Sequence, residues 1–155
     1  LVIPLASIGS SLVDFAIAGA ILLLLMAYYG LGWSPNLLLA PVIVAGVVLI
    51  ALGVGICLSA LNVAFRDFRY VIPFMIQIWM FATPVVYPSS LVPEHWRWVF
   101  YLNPMAGFID GFRAVFLGKP FEPLALAMSF AVALVIFLAG VAYFEKVERK
   151  FADII

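Results

Sequence analysis

Four stretches of this chain, residues 8–29, 37–61, 70–87 and 123–144, hold a single charged side chain between them, Asp14. At 1.5 Å rise per residue, a helix of about 20 apolar residues matches a hydrocarbon core about 30 Å thick. Four such helices in water would need a polar shell. A composition of 67% hydrophobic and 10% charged residues does not supply one. The expected fold is all-α: a polytopic helical membrane protein with four transmembrane helices and, between the last two, a re-entrant helical hairpin on the outer side.

Formal net charge is zero, so bulk electrostatics do not point to nucleic acid. The lone cysteine, Cys57, sits inside an apolar run, excludes an internal disulfide and reads as a small packing residue. No secretory signal is visible. The chain starts at Leu1 without a methionine and enters a span almost at once, so the expectation is a fragment lacking an N-terminal portion.

Asp14 falls in the first two turns of the first expected span, where the helix dipole favours a negative charge. That suits an interfacial anchor, since a carboxylate at mid-bilayer costs about 2.5–3.5 kcal/mol. A turn over 30–36 carries Trp33 at interfacial depth and Pro35 where a helix can begin. Small residues recur at Ala51, Gly55 and Ser59 in the second span and at Ala125, Ser129 and Ala133 in the last. Such stripes let helix backbones approach closely in lipid. The loop 62–70 gathers Arg66, Asp67 and Arg69, and the third span contains Pro73, Gln77 and Pro84, so some of its backbone groups need outside partners.

The segment 88–121 is aromatic-rich and imitates a fifth span. From Trp96 to Leu117 its aliphatic and phenyl side chains favour insertion by roughly 4 kcal/mol. Arg97, Asp110, Arg113 and the helix break at Asn103-Pro104 offset that gain. Two short helices, about 91–102 and 105–117, dipping in and returning on one side, fit better. Asp110 and Arg113, three apart, can pair on one helical face. With four spans, the start, the 62–70 loop and the tail 145–155 share a side bearing Arg66, Arg69, Lys146, Arg149 and Lys150. Arg97, Arg113 and Lys119 lie opposite. The positive-inside bias makes the first side cytoplasmic, including the C-terminus.

The chain offers no catalytic or metal-binding constellation. His95, the one histidine, lies in a loop beside Glu94 and Trp96, without a zinc, nucleophile-elbow or paired-acid motif, and reads as surface. A phosphate-cradling GxxxxGK[ST] is also missing from this sequence, so no ATP hydrolysis is expected from it. A helix-breaking, Gln-bearing span beside an aromatic, partly charged hairpin suits a conduit better than an anchor.

The stretches FRDFRYVIPFMIQIWMFATPVVYP (65–88) and LNPMAGFIDGFRAVFLG (102–118), with the closing KVERKFADII, resemble the membrane subunit of type-2 ABC exporters of the polysaccharide and polyol-phosphate family. The resemblance covers essentially all 155 residues. It implies the C-terminal part of one exporter transmembrane domain, with these spans as the family's third to sixth. It further implies a homodimer in the bacterial inner membrane, two ATPase subunits that bind ATP and Mg, and no cofactor in this chain. The cargo it implies is polysaccharide on a polyprenyl diphosphate, as in O-antigen, capsule or teichoic-acid export. By position, Pro4, Arg66, Asp67 and Arg69 would meet the ATPase. Gln77, Trp79, Phe81 and Tyr87 would line the channel, the first three on a shared face. Trp96, Trp98, Asp110 and Arg113 would belong to the extracytoplasmic gate helices. The alternatives are a related exporter of a small hydrophobic drug or lipid, and a non-transporting membrane scaffold of glycan assembly.

Overall fold

The computed structural model describes residues 2–30, 35–65 and 67–152. Among them the chain is helices and connecting turns, without a strand. The helices are α1 (Val2–Tyr28), α2 (Ala40–Ala64), α3 (Phe68–Ala82), α4 (Arg97–Phe100), α5 (Pro104–Leu117) and α6 (Pro123–Ala152), with short 3-10 turns at Pro35–Leu39, Ser89–Leu91 and Glu94–Trp96. Among the described residues, three helical stretches are long and apolar enough to cross a bilayer: Gly9–Tyr28, Asn36–Ala64 and Pro123–Arg149. The molecule is therefore a multi-pass helical membrane protein.

α3 is shorter than the 70–87 span expected from sequence. Its 15 residues rise about 22 Å, and it stops at Ala82. Proline disfavours helical backbone in the residue before it. Thr83, which precedes Pro84, is accordingly extended at φ −97° and ψ 136°, and residues 83–87 form turns and bends. α1 departs in the other direction. It begins at Val2, ahead of the expected Ile8, which puts Asp14 several turns inside the helix and exposed rather than at a helix N-terminus. Asp14 is therefore too far from the start of α1 for the helix dipole to stabilise its charge.

The core is built by α2, α5 and α6 around Ile43, Ile50, Phe108, Val115, Leu126 and Ala133. The buried positions of α2 are Ile43, Gly46, Ile50, Gly53, Ile56 and Ala60, a near-heptad stripe along one face. A side chain at Gly53 would meet the Phe137 backbone, with its first carbon 2.7 Å from the Phe137 Cα. Gly140 in turn backs onto Gly53 and Cys57. Lipid tails are as apolar as leucine, so helices gain by close backbone fit rather than by leaving water. The expected stripe on α6 is buried, with Ala125 at 5%, Ser129 at 0% and Ala133 at 0% exposure. The expected stripe on α2 is not the packed face. Ala51 is exposed, Gly55 looks onto open space, and Ser59 donates to the Ile56 carbonyl of its own helix at 2.8 Å.

Gly46 lies against Phe130, Gly53 against Phe137, and Cys57 against Gly140, so α2 and α6 run parallel. Two parallel helices begin at the same end of the bundle. The chain leaving Ala64 must travel back along the pair before it can start α6. α5 wedges between the N-terminal halves of both: Phe108 fills the space over Gly46, and Gly107 sits on Ala125 and Ser129. The return is made by α3, whose last turn reaches the start of α5.

Candidate functional site

The polar groups of this apolar bundle collect where α3 ends and α5 begins. Asn103 caps α5: its Oδ1 accepts from the Met105 amide at 3.1 Å, with Pro104 at the first helical position, where a missing N–H costs nothing. The same oxygen accepts from the Trp79 indole Nε1 at 3.1 Å. Asn103 Nδ2 donates to the Ala82 carbonyl at 3.2 Å and to Thr83 Oγ1 at 3.0 Å, while Thr83 Oγ1 donates to the Trp79 carbonyl at 2.8 Å. The carbonyls orphaned by the end of α3 are thereby partly satisfied from α5.

Nearly three turns further along α5, Arg113 holds the irregular stretch after α3. Its Nη2 donates to the carbonyls of Pro84 at 2.6 Å, Tyr87 at 3.3 Å and Val85 at 3.4 Å. Its Nη1 pairs with Asp110 Oδ1 at 3.3 Å, the pairing expected from their spacing. Ser89 Oγ donates to the same carboxylate oxygen at 2.9 Å, and Asp110 Oδ2 is buried without a hydrogen-bond partner among the described residues. A guanidinium presents several donors in a fixed plane, which lets one side chain serve three carbonyls and a carboxylate at once.

Beside this clamp is a cavity of about 290 Å³. Every charged residue between positions 97 and 122 lines it: Arg97, Asp110, Arg113, Lys119 and Glu122. Tyr101, also in the wall, donates its phenol to Glu122 Oε2 at 3.2 Å. Burial, reinforced by the nearby Glu122 and Asp110 carboxylates, pushes that phenol up to about 12 against a smaller opposing pull from Arg97, so it remains a donor at physiological pH. Pro88 and Ser89 line the cavity together with Lys119, Pro120 and Glu122. Both ends of the 88–121 segment thus meet at one place, the geometry of a hairpin that leaves and returns to the same end. Its first arm is less helical than the expected 91–102, reducing to a 3-10 turn and α4. Its second arm, α5, nearly coincides with the expected 105–117.

The residues singled out from sequence divide. Asp110, Arg113 and Tyr87 enter the clamp, Tyr87 through its carbonyl and a 3.4 Å contact of its hydroxyl with the Ala82 carbonyl. Gln77 and Phe81, one helical turn apart, are exposed on the outer face of α3. Trp79, expected on the same face, does not share it. It turns inward to Asn103, because residues two apart on a helix point nearly opposite ways. Trp96 and Trp98 are exposed, outside the clamp. At the far end of α3, Asp67 and Arg69 are exposed, and the Arg69 guanidinium lies 5.8 Å from the Tyr70 ring centre. Arg66, Trp33 and the side chain of Pro4 lie outside the described residues. Sequence reasoning passed over Asn103 as a hub, along with Ser89, Tyr101, Lys119 and Glu122. The Asn-Pro pair was a legible cap-plus-first-turn signal, but its reach to Trp79 was not.

A bundle of membrane-length helices with a short polar-clamped hairpin wedged between two of them defines a multi-pass integral membrane protein. The chain belongs to the ABC-2 type transporter family, which matches residues 1–117. It is 27% identical over 155 residues to the O-antigen export system permease protein RfbA of Klebsiella pneumoniae. It is 31% identical over 158 residues to the protein of the same name from Myxococcus xanthus. These alignments cover 99% and 98% of this chain and 60% of each relative, so the chain spans three-fifths of their length.

Proposed function

We propose that this chain forms the membrane pathway of an ATP-driven exporter that moves polyprenyl-diphosphate-linked polysaccharide across the inner membrane of a bacterium. The observation that carries this reading is the alignment of O-antigen export permeases along nearly the whole chain. In this reading two copies of the chain form the conduit and two copies of a separate ATPase subunit drive it. The molecule crosses the bilayer four times, α3 being the third crossing, and its C-terminus is cytoplasmic. Pro4, Arg66, Asp67 and Arg69 meet the ATPase. Gln77 and Phe81 face the conduit, and the hairpin with Trp96, Trp98, Asp110 and Arg113 gates its outer mouth. Sugar rings stack on aromatic faces with little demand for sequence, which suits a polymer threading past exposed phenyl and indole groups.

A second reading, export of a small apolar molecule, draws on the groove of about 490 Å³ between α2 and α3, walled by Val47, Ile50, Val54, Leu58, Ile76 and Met80. Its size and apolar walls suit a drug-sized ligand. Deleting the gene in its host separates the two. The glycan reading expects surface polysaccharide to vanish and lipid-linked glycan to accumulate on the cytoplasmic leaflet, both reversed by the restored gene. Unchanged surface polysaccharide, with new sensitivity to an apolar drug, would favour the second reading and end the first.

A further inference from the structure

The cavity beside the Arg113 clamp gathers charge next to a packed core that is apolar. Five of the chain's 16 charged residues line one space of about 290 Å³, and they come from α4, α5 and the segment leading into α6. Holding the hairpin closed does not require them all. Arg113 is committed to Asp110 and to the carbonyls of Pro84, Val85 and Tyr87, whereas the side chains of Arg97 and Lys119 form no hydrogen bond or ion pair among the described residues.

The lining also selects among ligands. Three cations and two carboxylates leave a formal balance of +1, and most of Arg113 is already neutralised by Asp110. An anion would have to lose its water beside Glu122 and Asp110, which like charge opposes. A neutral polyol meets no such penalty, because each hydroxyl both donates and accepts. Carboxylates can take protons from its hydroxyls while Arg97 and Lys119 donate to its oxygens, and planar carboxylate and guanidinium groups match neighbouring hydroxyl pairs. Gly107, Gly111 and Ala125 provide a floor without bulky side chains, and Tyr101 supplies an aromatic edge. The volume lies at the small end of ligand sites, enough for one ring and too little for a chain.

We infer that this cavity is a binding subsite for a single neutral sugar residue, at which the glycan is held against the hairpin. The subsite rests on the glycan reading above and names where on the chain the polymer is gripped. Because Pro88–Ser89 and Lys119–Glu122 line it together, an occupant braces the two ends of the hairpin.

The test uses the complete permease with its ATPase in lipid nanodiscs. Saturation-transfer NMR is recorded with the methyl glycosides of mannose, galactose, glucose and rhamnose, and phosphorus NMR with inorganic phosphate. At least one glycoside should bind, and Arg97→Met with Glu122→Gln should weaken it about tenfold or more. Both side chains are exposed, so the variant retains the core; Lys119→Met gives a second measurement should the double variant fail to assemble. No binding of any glycoside, binding of phosphate in their place, or glycoside binding indifferent to these variants overturns the subsite. Surface glycan in the same strain separates the two ideas. Normal export without glycoside binding ends the subsite alone, whereas glycoside binding that the variants weaken, in a strain whose glycan export does not depend on this gene, supports the subsite and ends the export reading.

Discussion

At the scale of single residues, two positions set how the bundle closes. Arg113 answers three carbonyls that Pro84 and the turns after it leave outside any helix, and it does so with its side chain only 21% exposed. Arg113→Lys keeps the charge and loses the planar fork. We expect it to cost about 1.5–3 kcal/mol, the worth of hydrogen bonds to a charged group, read as a lower unfolding midpoint of the purified protein in detergent. An unchanged midpoint would mean the clamp is an ornament. Gly53 tests the parallel crossing of α2 and α6. An added methyl there meets the Phe137 backbone, so Gly53→Ala should destabilise by about 1–3 kcal/mol. Gly55, two residues on, has nothing within 4 Å of the same methyl, so Gly55→Ala should be neutral or gain up to about 1 kcal/mol from helix propensity. The opposite ordering would show that the Ala51–Gly55–Ser59 face is the packed one after all.

At the scale of elements, legibility followed punctuation. α5 could be bounded in advance because Asn103-Pro104 opens it and Gly118, at φ 64°, closes it in the left-handed conformation that favours glycine. The end of α3 was written in Pro84, though the span was read past it to Tyr87. The packed face of α2 was not legible. A helix apolar on every side carries no contrast to mark its inner face, and α2 has small residues on two faces, so only the fit against Phe108, Phe130 and Phe137 decides between them. Trp79 was misplaced for a related reason: its partner, Asn103, lies 24 residues away. The cavity was hidden in the same way, since Arg97, Asp110 and Glu122 look like scattered charges until the hairpin gathers them. That hairpin gives the prediction proper to this scale. Single cysteines at Ser90 and Lys119, in a background lacking Cys57, should both react with an impermeant maleimide from outside the cell. Reaction from opposite sides would show that 88–121 crosses the membrane.

At the scale of the whole molecule, the parallel α2 and α6 force the chain back along the bundle through α3, and that return places a charged loop at one end and the clamped hairpin at the other. α3 has no buried residue, and its Phe74, Ile78 and Phe81 are all exposed, so it leaves an apolar surface open to a second copy, to lipid or to cargo. Coupling would enter from the loop end. Two arginines alone could be explained as topology signals held by anionic headgroups at about 1 kcal/mol each. Asp67 between them would be repelled by the same headgroups, which favours paired contacts with a protein partner. The most direct measurement is transport itself. The complete permease and its ATPase are reconstituted in liposomes, lipid-linked glycan is supplied on the ATPase side, and glycan reaching the opposite leaflet is counted by its protection from an added glycosidase. The account predicts protection that depends on ATP and on this chain, and that Asp67→Lys abolishes while leaving the permease inserted, either by releasing the ATPase or by letting it hydrolyse ATP without transport. Glycan that stays accessible while the bound ATPase turns over in the wild-type complex would contradict it, and so would equal transport by Asp67→Lys.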